Sequence, residues 1–311
     1  MTVTITPRPT VVHTEPGYEG ANIRTWIGFK HFLYLVEQGV LRWLRDQGAG
    51  AGELYLRHGL GLEIVESSVQ LPSVLELDDE VRAEVTSARD NLLSVRLVST
   101  RDGQEVTALR GRVRVALVRE RTAETYRRAP GGLDALEVPE LAAATTVRHP
   151  DHRSLAPGET AEDVLGAEPG AHLWSWRAPY FYCHYSDRVQ HSGFVRALEE
   201  VVDRFLADRG ISVGRLLTER SWIPVVSRSH LQLVEAARME ETVHTVFTVT
   251  DILRGVLFDG RMRCHVQRGD RLVQVAQARI LHGYAIAAGP GAGGMAELDD
   301  EVVAALRGDR R

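Results

Sequence analysis

Apolar residues recur at helical spacing in two places. Phe29, Phe32, Leu33, Val36 and Val40 fall on one face of a helix predicted from Gly28 to Gly48, and Phe194, Leu198, Val201 and Phe205 on one face of a second from Gly193 to Gly210. Each helix opens on a Gly-Phe pair and stops at a Gly in an Asp-Gln-Gly or Asp-Arg-Gly context, which suits a left-handed C-terminal cap. After each helix the pattern changes to β-like runs rich in Val, Thr and aromatic residues. In the first half they cover 64–71, 81–86, 92–99 and 106–117, and in the second 223–233, 242–249, 257–266 and 272–284. The last two runs of each half meet at Asp102-Gly103 and Gly269-Asp270, residues that hairpin turns favour. A strand also precedes each helix, weakly at 11–18 and more clearly at 173–185. Strand, long helix and antiparallel meander therefore occur twice in the same order.

This pattern predicts an α+β chain made of two copies of one unit, at 1–121 and 172–286. The polar stretch 122–171, punctuated by Pro and Gly, is expected to be a linker, and 287–311 a flexible tail with one marginal helix.

Composition narrows the function classes. A length of 311 residues suits two ordinary domains, and 44% apolar with 25% charged residues excludes wholesale disorder. A net charge of -5 argues against nonspecific binding to nucleic acid or anionic membrane. The N-terminal MTVTITPRPT lacks a basic start followed by an apolar run, and no apolar stretch is long enough to span a bilayer, so a cytoplasmic location is expected. Cys183 and Cys264 lack metal or disulfide spacing and read as reduced thiols. With no Gly-rich phosphate loop, metal-ligand cluster or nucleophilic serine elbow, neither a metal nor a cofactor is expected.

The second helix follows an aromatic stretch from Trp174 to Tyr185 and then Ser186-Asp187-Arg188-Val189-Gln190-His191-Ser192-Gly193-Phe194. An aromatic-rich strand ending in Ser-Asp, then a His, then the helix resembles the hotdog acyl-thioesterases. The resemblance extends over both halves and implies a tandem double hotdog, in which each long helix is wrapped by a curved antiparallel sheet. Val189 stands where that family usually has Asp or Asn. Hotdog dehydratases and hydratases are similar here too, usually with an Asn that Gln190 would replace.

The resemblance implies hydrolysis of an acyl-CoA or acyl carrier protein thioester, in fatty-acid or polyketide metabolism. Dehydration or hydration of a β-hydroxyacyl or enoyl thioester, or noncatalytic acyl binding beside a synthase, are the alternatives. Thioester hydrolysis needs a base for the attacking water and donors for the oxyanion. Asp187 and His191 are the candidate acid/base pair, Gln190 is placed to orient water or substrate, and Glu199 is a second candidate base with Glu37 below it. The helix start at Gly193 and Phe194 is expected to polarise the carbonyl. Tyr182 and Tyr185 belong to the aromatic stretch expected to wall an acyl pocket, and Arg215, Arg220 and Arg228 are candidates for the phosphates of the carrier. Alignment on the two Gly-Phe pairs sets Asn22 opposite Asp187, Thr25 opposite Gln190 and Trp26 opposite His191, so one active site per chain is expected, with Asn22 and Trp26 lining the substrate slot from the first unit. Two fused units mimic the dimer of single hotdogs, which predicts a monomer or a homodimer.

Overall fold

The computed structural model describes residues 9–89 and 91–308. The first unit consists of β1 (Thr10–Thr14), α1 (Phe29–Asp46), β2 (Leu60–Gln70), β3 (Val81–Arg89), β4 (Leu92–Arg101) and β5 (Gln104–Arg119). The second repeats the order with β6 (His172–Arg177), α2 (His191–Asp208), a short α3 (Val213–Arg220), β7 (Trp222–Leu233), β8 (Thr242–Leu253), β9 (Leu257–Arg268) and β10 (Arg271–Ile286), and α4 (Asp300–Arg307) follows. The predicted runs all form strands, most extended by a few residues. The exceptions are 11–18, a strand only as far as Thr14, and 173–185, a strand to Arg177 and again at Cys183–His184, with Pro179 opening a short 3-10 turn at Tyr180–Tyr182 between them.

The strands pair in the order β1-β3-β4-β5-β2-β7-β10-β9-β8-β6, so the two halves form one continuous sheet. They join where β2 and β7 run antiparallel, from Gln70 opposite Arg228 to Glu66 opposite Gln232. This pairing occupies an edge that each half would otherwise leave open to other chains. Asp102 and Gly103 both have positive φ (51° and 76°), the geometry of a two-residue turn matched to the twist of β4 and β5.

α1 and α2 are each 18 residues long. Their buried faces superpose at a constant offset of 162, which sets Phe29 against His191, Phe32 against Phe194, Val36 against Leu198 and Trp43 against Phe205. The same offset matches Asp46-Gln47-Gly48 with Asp208-Arg209-Gly210. α2 therefore starts at His191, with Gln190 as N-cap, two residues before the predicted Gly193. Aligning the Gly-Phe pairs slips the copies by about one helical turn, because a single turn preserves the apolar stripe. Corrected, Asp187 stands opposite Thr25, Gln190 opposite Gly28 and His191 opposite Phe29, while Asn22 and Trp26 pair with His184 and Arg188.

The 122–171 stretch is more than a linker. Leu133, Leu136 and Leu141 enter the main core. A helix at Ala161–Gly166, closed by a Thr160/Asp163 capping box, packs Leu165 against Val246 and Leu272. The tail is likewise docked, with Val302 and Leu306 of α4 0% and 2% exposed. Asp299 caps α4 by accepting from the Val302 amide (2.9 Å), and Glu301 accepts from Arg215 (2.9 Å) and Arg220 (2.5 Å). These two arginines therefore anchor the tail, where the sequence had made them candidates for carrier phosphates. The docked tail predicts that Leu306→Ala destabilises the chain by about 2–5 kcal/mol in denaturant unfolding; an unchanged midpoint would show that α4 adds nothing to the core.

Candidate active site

α2 begins without a cap from its own side chains and without an acidic residue in its first turn. The missing acceptor comes from the other unit: Glu63 on β2 accepts the His191 amide N–H (3.1 Å). A negative charge there also complements the helix dipole. Glu63 is 1% exposed, and a carboxylate so buried requires partners. Arg188 donates to it through Nε (3.1 Å) and His184 Nε2 lies at 3.0 Å. Arg188 also donates to Glu120, itself buried on the adjoining turn (2.5 Å). Gly61 lets this cluster close, since a Cβ there would lie 2.0 Å from Glu120 Oε1. Burial alone would raise the Glu63 pKa, but His184 and Arg188 bring it down to about 2.

His191 is 3% exposed, and its Nε2 lies 2.8 Å from the Ser67 hydroxyl. Burial, only partly opposed by the charge of Glu63, lowers its pKa to about 4, so the ring is neutral at neutral pH. Ser67 and Glu63 lie on either side of the irregularity in β2 at Val65; β7 carries the matching irregularity at Ser227. Glu63 and His191 line a cavity of about 100 Å³, together with Gln190, Tyr185 and Glu37 of α1. Burial pushes the Glu37 carboxyl above the usual carboxylate range, and among the described residues no hydrogen bond or ion pair engages it. The pocket thus holds one carboxylate driven down and one carboxyl driven up, an arrangement that separates acid and base roles.

Other expected site residues lie elsewhere. Asp187 points to Arg121 and Arg238 (3.0 Å to the latter), and no hydrogen bond joins it to His191 among the described residues. Asp187 sits in the tight turn 185–187 between two short paired strands, Cys183–His184 and Arg188–Val189, and meets the arginines there, whereas His191 opens α2 and is buried. The Gly193 amide donates to the Gln190 carbonyl (3.0 Å), and its missing Cβ makes room for Val189 and Tyr182, at 3.0 and 3.2 Å, rather than for a ligand. Phe194 is core. Tyr182 packs on Trp176 and under Arg196, so of the aromatic stretch only Tyr185 and its neighbour His184 reach the cavity. Burial brings the Tyr185 hydroxyl up to about 12.

Glu199 is the counterpart of Glu37 at the same offset, and it lies at the other end of the helix pair. Its carboxylate accepts the Lys30 amide N–H in the first turn of α1 (2.8 Å). Asn22 and Trp26 line the space around it, as does Glu199 itself. The main residue that sequence reasoning missed is Glu63. A lone Glu in the apolar run Leu60–Val65 was the available signal, but its partners are more than a hundred positions away.

No protein-family model matches the sequence, and no curated protein does. Solved structures do match. The chain is similar to a 12:0-ACP thioesterase from Umbellularia californica, at 10% identity and TM-score 0.56 over 89% of this chain and 94% of that one. It is also similar to an acyl-ACP thioesterase from Bacteroides thetaiotaomicron, at 9% identity and TM-score 0.52 over 88% and 97%. A protein assigned as an oleoyl thioesterase from Lactobacillus plantarum matches at 9% identity and TM-score 0.55, over 89% and 96%. The chain has the double-hotdog fold, as the strand order and paired helices already indicate. No helix among the described residues is long and apolar enough to cross a membrane.

Arg188→Ala would leave Glu63 and Glu120 buried without their shared cation, so it should cost about 3–5 kcal/mol in equilibrium unfolding; a loss below 1 kcal/mol would show that the cluster is solvated. Acid should act on the same groups. His191 has a folded pKa of about 4 against an ordinary 6.5, so its contribution is complete above pH 6.5 and lost as pH falls through 4; that of Glu63 is lost between 4.5 and about 2. Thermal melting should therefore drop in two overlapping stages from pH 6.5 to 2, and a flat profile down to pH 4 would contradict the buried neutral histidine.

Proposed function

We propose that this chain hydrolyses a thioester with a short acyl group, carried on coenzyme A or on the pantetheine arm of a carrier protein, and that Glu37 is the general base. The observation behind this reading is the unpartnered Glu37 carboxyl, held above its ordinary pKa in a small cavity at the start of α2. Such a group takes up a proton near neutrality more readily than an exposed carboxylate. Its counterpart Glu199 reaches the first-turn amide of the opposite helix; by the same offset, Glu37 faces the first turn of α2 at Ser192.

The chemistry follows from that placement. Water attacks the thioester carbonyl carbon as Glu37 takes its proton, and the first-turn amide of Ser192, the His191 and Gly193 amides being engaged by Glu63 and Gln190, stabilises the oxyanion. Collapse of the tetrahedral intermediate breaks the C–S bond, and the proton held by Glu37 goes to the departing thiolate. Gln190 orients water or substrate from the cavity wall. In this reading His191, bonded to Ser67, positions the helix start, and Asp187 holds the approach loop through its arginines rather than acting as base.

A cavity of about 100 Å³ has room for a carbonyl, a water and a few carbons, which favours a short acyl group over the twelve-carbon group named for one structural relative. Membership in fatty-acid or polyketide metabolism is part of the same proposal. Dehydration is the less favoured reading, because Ser67 occupies the Nε2 that a histidine base would need. The test is thiol release from acetyl-, butyryl- and hexanoyl-CoA and their pantetheine analogues. Glu37→Gln should lower kcat/KM at least 100-fold and Asp187→Asn less than threefold; full activity in Glu37→Gln, or no release from any of these substrates, would overturn the assignment.

A further inference from the structure

The duplication has produced a second cavity where the first unit's site would be. All ten residues lining the small pocket at α2 have counterparts, at the offset of 162, among those lining a larger one at the start of α1. The chemistry has been replaced: Phe29 stands for His191, Val225 for Glu63, Ile23 for Tyr185 and Gly28 for Gln190. Removing the buried ions leaves a space of about 740 Å³, within the ordinary range for small-molecule pockets.

We infer that this cavity is a second ligand site, which takes a neutral, largely apolar molecule bearing one hydrogen-bonding group. Its walls are mostly apolar, with Trp26, Phe29, Val202 and Val225 among them, so burying an apolar body there is favourable. Polar residues are the minority of the lining. Glu199 already holds the Lys30 amide, and Asp203 and Glu76 add two more carboxyls, which disfavours an anion. The nearby cation Lys30 is engaged by Glu19 (3.3 Å) and Glu199 (3.8 Å). His282 forms part of the wall at 5% exposure, and its Nδ1 has no hydrogen-bond partner among the described residues. An unpaired buried acceptor or donor carries a free-energy cost that a ligand group can remove. The inference is independent of hydrolysis at the other pocket.

The test titrates the full chain with N-phenyl-1-naphthylamine, a neutral aromatic with one N–H whose fluorescence rises in apolar surroundings. One saturable site is expected, weakened at least tenfold by Val225→Trp and unchanged by Glu37→Gln. Hydrogen–deuterium exchange on the unsubstituted chain gives a readout that does not depend on a variant folding: the probe should protect amides at 22–29 and 223–227. Absence of saturable binding, or protection confined to 62–64 and 184–191, would overturn the proposal.

Discussion

A carboxylate buried in a strand that is otherwise apolar sets the terms for this structure. Glu63 is tolerable at 1% exposure only because Arg188, His184 and the start of α2 arrive from the other unit to meet it. Neither unit completes the cluster alone. The pairing of β2 with β7 fixes the distance between units, and the cluster fixes the direction in which α2 enters. A buried ion pair of this kind contributes little net stability against an apolar replacement, but breaking it is costly. It acts mainly to hold one geometry.

The geometry explains why the two ends of the helix pair differ. At the α2 end, Glu63 occupies the first-turn amide of the helix, and the helix glutamate Glu37 is left without a partner. At the α1 end, Val225 stands in place of Glu63, and Glu199 takes the amide of the opposite helix itself. Whether the helix glutamate caps the opposite helix or lacks a partner thus goes with the residue at this strand position, Val225 or Glu63. Together with Phe29 for His191, Ile23 for Tyr185 and Gly28 for Gln190, this exchange accompanies the change from a cavity of about 100 Å³ to one of about 740 Å³.

Much of the architecture was legible along the chain. The 3.6-residue apolar stripes, the alternating β runs and the Asp102-Gly103 turn are local consequences of backbone geometry and side-chain shape, and the structure bears out the double hotdog they suggested. The 122–171 and 287–308 stretches were harder to read, since their apolar residues are sparse and aperiodic; Leu133, Leu165 and Leu306 become core only when a sheet surface is supplied for them. The copy alignment slipped by a turn because a periodic stripe fits itself equally well after such a shift.

The sequence by itself determined the duplicated unit and the region around His191 as the place where polar groups gather. Only the tertiary structure decided which of those groups meet. Asp187 and His191, four residues apart, diverge because one lies in a hairpin turn and the other opens the helix that follows it. Glu63, Glu37 and His191 converge from three elements across two units. Local pattern follows from the chemistry of neighbouring residues, whereas a buried charge finds its partners in space, through contacts that only the folded chain makes.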